Sequence, residues 1–118
     1  MSITKQIEPQ NWDSFLEDFS ARNKGRRARF ELFHHAGDVK EEEQEAHFES
    51  ATVDGRVVTV KRTDTSGRAP RELTIDLHDT HGIAVQYDTD ESEDTLEFTN
   101  HKGDMTVLHF ESKIDGDS

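Results

Sequence analysis

The sequence predicts an α+β fold in which one N-terminal helix packs on an antiparallel sheet of about seven strands. Apolar residues first recur every three to four positions, as on one face of a helix, and after Gly25 they alternate every second position, as in half-buried strands. The strand segments follow one another through short loops, which is typical of an antiparallel meander. Because one face is apolar and the other polar, we expect a strongly curved sheet, or a small open barrel, covered by the helix.

Length and composition predict a single domain, 1–118, with a modest core. The chain has 118 residues, of which 31% are hydrophobic, and no apolar run approaches the roughly 18 residues that span a bilayer. It holds no cysteine, which excludes disulfides and zinc–thiolate sites. The first ten residues lack the apolar core of a signal peptide, so we expect a cytoplasmic protein.

An excess of acidic residues restricts the partners. The chain has 26 acidic and 14 basic residues, and its formal net charge is -12. A field of this sign repels polyanions, so we expect neither nucleic acid nor a membrane as a partner. Two origins of the excess stay open. One is an ordinary acidic bacterial protein, and the other is adaptation to high salt, which screens the self-repulsion of a carboxylate-rich surface.

The helix is predicted at about 9–22. Pro9 suits the first position of a helix, where its missing N–H is not needed. A stripe of apolar residues at helical spacing is formed by Trp12, Phe15, Leu16 and Phe19. Asn23 and Gly25 are stop signals. The stripe contains the single tryptophan of the chain, and we expect it to form core rather than an aromatic ligand site.

Alternating apolar residues predict the strands. The expected ranges are about 26–35, 45–53, 57–63, 71–78, 82–88, 94–99 and 105–111, followed by a polar tail at 112–118. Asp54 and Gly55 mark the turn of a hairpin. We favour a three-residue turn with a bulge at Gly55, because this register keeps Phe48 and Val60 on one face.

Histidines suggest a metal-binding alternative. If the apolar residues of the first two strands share a face, their pairing places His35 opposite His47 on the polar face, with Cβ atoms about 5 Å apart. Neutral imidazole is a common metal ligand, so His35 and His47 form the candidate metal site. Two histidines are an incomplete set of ligands, and the alternative is that both are solvated polar side chains.

Four polar-face residues predict an interaction surface. Phe33 and Val107 are apolar side chains on the polar face, and such a surface is typical of a site for a partner or a second copy of the chain. Arg27 and Arg29 belong to the one basic cluster of the sequence. Because the negative field disfavours phosphate, we expect these arginines to pair with the acidic segment 41–45.

Motifs of catalysis are absent from the sequence. It contains no nucleophile elbow, no phosphate-binding glycine loop and no dinucleotide fingerprint. A core of this size also leaves little room for an enclosed pocket. We therefore expect no enzyme and no cofactor, and a domain that acts through protein–protein contacts. The alternatives are a ligand- or metal-binding module that uses the polar-face histidines, and an uncharacterised enzyme.

The first and last segments resemble a known family. Between 7 and 19 the chain has Ile7-Glu8-Pro9 and then Trp12, Phe15 and Phe19, and between 96 and 110 it has LEF, an HKGD turn and TVLHF. These motifs resemble a bacterial family of small proteins, of about 110 residues, classed as a domain of unknown function. In that family I-P-x-x-W-x-x-F opens the chain and D-G-x-x-T-L-L-x-F closes it. The chain departs from the pattern at Glu8 and at Lys102-Gly103-Asp104. The resemblance implies the same fold and assigns no catalytic residue.

Overall fold

The computed structural model describes residues 3–34, 36–41, 46–88 and 92–111. A 3-10 turn (Pro9–Asn11) leads into the helix α1 (Trp12–Asn23). The strands are β1 (Ile3–Ile7), β2 (Arg27–Phe33), β3 (Val39–Glu41), β4 (Ala46–Asp54), β5 (Val57–Asp64), β6 (Arg71–Leu77), β7 (Thr80–Tyr87), β8 (Glu93–Asn100) and β9 (Met105–Phe110). The predicted α+β class, with an N-terminal helix and an antiparallel sheet, is confirmed. The predicted tail 112–118 lies outside the described residues.

The sheet has two halves joined by a short junction. Its strand order is β1-β7-β8-β9-β2-β4-β5-β6, and β3 pairs with β2 beside β4. β2 and β4 share two residue pairs, Arg27 with His47 and Ala28 with Ala46. The first half therefore comprises β1, β7, β8, β9, β2 and β3, and the second half comprises β4, β5 and β6. Within the part of the chain that the structure describes, no helix is long and apolar enough to cross a membrane.

The prediction of a strongly curved sheet or a small barrel is wrong, because the sheet is open and is not strongly curled. The two ends of the strand order, β1 and β6, are not paired with each other, so the sheet does not close. β1 was not predicted, and it extends the sheet by pairing with β7 over five residue pairs. Ile7 is buried in the core, and its carbonyl accepts a hydrogen bond of 3.0 Å from the indole N–H of Trp12. With β3 as the other unpredicted strand, the sheet has nine strands rather than seven.

In the hairpin of β4 and β5, Phe48 and Val60 share the core face as predicted, but the turn length and the position of the bulge differ from the prediction. Asp54 pairs directly with Val57, so the turn has two residues instead of the predicted three. Gly55 has a φ of 64°, which suits the first position of a type II′ turn. The bulge lies between Phe48 and Ser50 rather than at Gly55. It brings Phe48 into the same core as Val60, as predicted.

One core unites α1 with both halves of the sheet. Trp12, Leu16 and Phe19 of α1 are buried, which confirms that the helical stripe forms core. The ring of Phe19 lies 5.9 Å from that of Phe48 and 5.4 Å from that of Phe110. These near-perpendicular ring contacts add to the apolar burial. α1 also covers part of the β4 edge, where Ser20 hydrogen-bonds the backbone of Ala51.

Candidate interaction surface

The first half of the sheet has one face turned away from the core, which we call the outer face. Val107 and Ala84 lie on this face and are each 4% exposed, yet neither belongs to the core cluster. The core cluster, which contains Trp12, Leu16 and Phe19 of α1, packs on the opposite side. Among the residues that the structure describes, no helix or strand covers the outer face.

An apolar row crosses three strands of the outer face. Val39 of β3 pairs with Phe33 of β2, and Phe33 pairs with Met105 of β9. Directly opposed side chains on one face of a sheet are within contact distance. Val39 is 54% exposed, while Phe33 and Met105 are half-buried. We call these three residues the apolar row.

An acidic row lies beside the apolar row, two residues further along the strands. Glu31 of β2 pairs with Val107 of β9, and Val107 pairs in turn with Glu97 of β8. We call Glu31 and Glu97 the acidic row. Val107 was predicted as part of an interaction surface, and the structure places it on the outer face but covers it with its neighbours. The apolar side chains that remain accessible there are those of the apolar row.

The two carboxylates of the acidic row have different surroundings. Nε2 of His109 lies 2.5 Å from Oε1 of Glu31. Burial raises the pKa of the Glu97 carboxyl, and the nearby charge of His109 opposes that rise. The ionised form of Glu97 is therefore incompletely solvated. A cationic group that approached the outer face would stabilise it.

All four predicted interaction residues lie on the side of the outer face, because Arg27, Arg29 and Phe33 occupy alternate positions of β2 and Val107 lies on this face of β9. Arg29 pairs with His109, next to the pair of Glu31 and Val107, and Phe33 follows on the same strand. Arg27 lies at the start of β2, at the end of this face.

Arg27 forms an ion pair at that end of the strand. Its Nε lies 3.6 Å from Oε2 of Glu111. The predicted pairing of the arginines with segment 41–45 falls largely outside the described residues, so it stays a prediction.

His47 lies at the junction of the two halves, where it pairs with Arg27. The predicted register is wrong, because His47 pairs with Arg27 and β3 takes the place of β4 beside the rest of β2. His35 lies outside the described residues. Nδ1 of His47 is 2.9 Å from the carbonyl oxygen of Gly25, and since a carbonyl only accepts, Nδ1 is the donor of this hydrogen bond. The described part of the chain holds no group of three or more potential ligands arranged for a metal ion.

An open cleft of about 320 Å³ lies beside His47 and includes Asp64 and Ser66 in its lining. Ser66 donates two hydrogen bonds to Oδ1 of Asp64, from its hydroxyl at 2.7 Å and from its backbone N–H at 2.9 Å, and Arg71 donates to Oδ2 at 3.0 Å. These bonds, with those of Ser66 dominant, hold the pKa of Asp64 below its usual value. A nucleophilic serine needs a base that removes its proton and passes it on. Here the hydroxyl instead closes a turn on a carboxylate that its own hydrogen bond, the backbone N–H and Arg71 favour in the ionised form.

A buried polar network at the end of α1 was missed in the sequence. Glu93 of β8 accepts two hydrogen bonds from Arg22, of 3.2 and 2.6 Å, and one of 2.8 Å from Nδ2 of Asn23. Nη1 of Arg26 donates to the backbone carbonyl of Glu93 at 2.7 Å. Asn23 was interpreted as a stop signal, and nothing in the sequence distinguishes Glu93 from the other carboxylates of the acidic segment around it.

A comparison of the chain with family models, curated proteins and solved structures finds no match. The resemblance carried by the first and last segments therefore stays a prediction.

Proposed function

We propose that this protein is a non-catalytic binding domain that recognises a cationic and apolar segment of a partner protein on its outer face. The observation that carries the proposal is the adjacency of the apolar row, formed by Val39, Phe33 and Met105, and the acidic row, formed by Glu31 and Glu97. A partner that aligns apolar side chains with the first row and lysine or arginine with the second satisfies both at once.

The apolar row supplies the favourable burial. Val39 is one of the two most exposed large hydrophobic residues of the described chain, and Phe33 beside it is half-buried. Removal of apolar surface from water stabilises a complex by roughly 25 cal/mol per Å². Aromatic residues near the centre of a well-packed interface carry a large share of its binding energy. Phe33 is aromatic and lies at the centre of the apolar row.

Charge favours a basic partner over a second copy of the chain. The net charge of -12 steers a cationic partner towards the protein and repels another copy. The acidic row adds a local attraction, since Glu97 is partly desolvated before any partner arrives.

Calorimetric titration with a defined peptide tests the proposal. The probe consists of two repeats of Leu-Lys-Lys-Leu-Leu-Lys-Leu, which as a helix presents leucines on one side and lysines on the other. We expect saturable binding of this peptide and no binding of its glutamate counterpart. Phe33→Glu is expected to weaken binding at least about tenfold, which corresponds to roughly 1.4 kcal/mol. Ile3→Glu is the matched control, because Ile3 is 63% exposed and lies outside the apolar row.

Two double variants separate the effect of the acidic row on binding from the effect of the net charge. Glu31→Lys with Glu97→Lys changes the charge by the same amount as Asp13→Lys with Glu17→Lys, which alters two exposed positions of α1. We expect the first pair to weaken binding by far more than the second. Equal losses, in variants whose circular dichroism matches that of the parent, would contradict recognition at the outer face.

A further inference from the structure

We infer that the free edge of β6 is a second binding site, which takes an extended segment of alternating basic and apolar residues by strand addition. The site lies in the second half of the sheet and shares no residue with the outer face. The inference is therefore independent of the proposed function, and the two fail separately.

The β6 edge is long and regular. β6 ends the strand order, and within the described chain its one strand partner is β5. Their pairing runs without a shift from Val58 with Leu77 to Asp64 with Arg71. Sheet edges in proteins are commonly blocked by a bulge, a proline or a covering element. β6 contains neither a proline nor a bulge, in contrast to β4, whose edge is bonded to Ser20 of α1.

The core side of β6 is incompletely covered. Leu73, Ile75 and Leu77 alternate along the strand and are all half-buried. Ile75 and Leu77 pack against the core, but each lies at the border of the sheet. A further strand with apolar residues opposite these positions would bury them and would pair with the backbone groups of β6 that no described strand engages.

The other side of β6 determines the charge of the added strand. Glu72, Thr74 and Asp76 are exposed there. A second copy that paired its β6 antiparallel about Thr74 would set Glu72 against Asp76 twice, and like charges directly opposite each other are destabilising. A segment with lysine or arginine at those two positions forms opposite-charge pairs instead. The site therefore fits a basic segment of another protein rather than a second copy.

The peptide Gly-Val-Lys-Val-Thr-Val-Lys-Val-Gly is the probe, and the same peptide with glutamate in place of lysine is its control. Hydrogen–deuterium exchange of the unaltered protein needs no variant. We expect the lysine peptide to slow exchange of the backbone amides of β6, and the glutamate peptide to leave it unchanged. Protection that appears elsewhere and leaves β6 unprotected would overturn the inference.

Charge reversal at the edge is the second arm. The double variant Glu72→Lys with Asp76→Lys is expected to weaken binding of the lysine peptide at least about tenfold. The same variant is expected to strengthen binding of the glutamate peptide. Asp13→Lys with Glu17→Lys carries the same change of net charge and is expected to retain most of the affinity. Phe33→Glu is expected to bind this peptide like the parent. Equal weakening by the two charge-reversed pairs would show attraction to the overall charge and would overturn the inference. Melting temperatures check the fold, since Asp76 accepts a hydrogen bond of 2.8 Å from Thr59.

Discussion

Ser20 of α1 and Ala51 of β4 are joined by two hydrogen bonds that run in opposite directions. The hydroxyl oxygen accepts from the backbone N–H of Ala51 at 2.9 Å and donates to its carbonyl oxygen at 3.2 Å. A neighbouring strand makes the same pair of bonds in a sheet. Ser20 thus takes the place of a strand at the part of the β4 edge that β2 leaves unpaired, and it fixes α1 on the sheet.

We expect Ser20→Ala to lower the free energy of unfolding by about 2 kcal/mol, because it leaves a buried N–H and a buried carbonyl of Ala51 without these bonds. Ser14→Ala is the matched control. Ser14 is exposed on the same helix, and its hydroxyl makes a single bond of 3.3 Å to Asn11. Urea unfolding should show a loss within about 0.5 kcal/mol for the control. Equal losses in the two variants would rule out the role given to Ser20.

Replacement of Glu93 tests the polar network that joins α1 to β8. The Glu93 side chain is 7% exposed and neutralises Arg22, while Asn23 is fully buried beside it. We expect Glu93→Gln to lower the free energy of unfolding by about 2 to 4 kcal/mol, since a buried pair that loses one charged partner leaves the other groups incompletely satisfied. Asp94→Asn, at the next position, is expected to have little effect. A loss for Glu93→Gln no larger than for this control would contradict the structural role of the network.

Glu97 makes stability depend on pH in a defined direction. Burial raises the pKa of its carboxyl above the ordinary value of 4.5. Between the ordinary and the raised pKa the folded protein binds more protons than the unfolded chain, so this contribution to stability falls as the pH rises through that window. We expect Glu97→Gln to be more stable than the parent at pH 7, with a difference that shrinks as the pH falls through the raised pKa towards 4.5. Urea unfolding across this pH range measures it, and a difference independent of pH would contradict the assignment.

Asp64 has the opposite dependence. The hydroxyl and the backbone N–H of Ser66 hold the pKa of Asp64 below its ordinary value of 3.8. Its contribution to stability is therefore present above pH 3.8 and is lost as the pH falls through the lowered pKa. We expect Ser66→Ala to move the pKa of Asp64 back towards 3.8. Carboxyl carbon chemical shifts, followed by NMR in an acid titration, report this directly, and an unchanged midpoint would show that Ser66 is not the cause.

Residues with regular spacing made most of the fold predictable, and contacts distant in sequence account for the rest. The stripe of α1 and the alternation of Ile83 and Val85 follow directly from local periodicity. β1 was missed because Ile3 and Ile7 are separated by polar residues, and this segment becomes a strand through the edge that β7 offers. β3 was missed because its segment is mostly charged, and its insertion beside β2 displaced the predicted register of His47.

The candidate site was predictable to a similar degree. Phe33 and Val107 were found because the side chains of a strand alternate between its faces. Val39 was missed because it lies between the predicted strands 26–35 and 45–53. The raised pKa of Glu97 comes from burial between β7 and β9, and contacts of this kind follow from no local pattern.

The most direct test of the central claim follows the methyl group of Met105. The chain has two methionines, Met1 and Met105, so ¹³C-methyl labelling gives two NMR signals, one of them from the apolar row. The titrant is the helical leucine–lysine peptide. We predict that the Met105 signal shifts saturably, with the dissociation constant measured by calorimetry, and that the Met1 signal does not move. Binding that leaves the Met105 signal unchanged would contradict the account, as would a shift that grows with protein concentration in the absence of peptide.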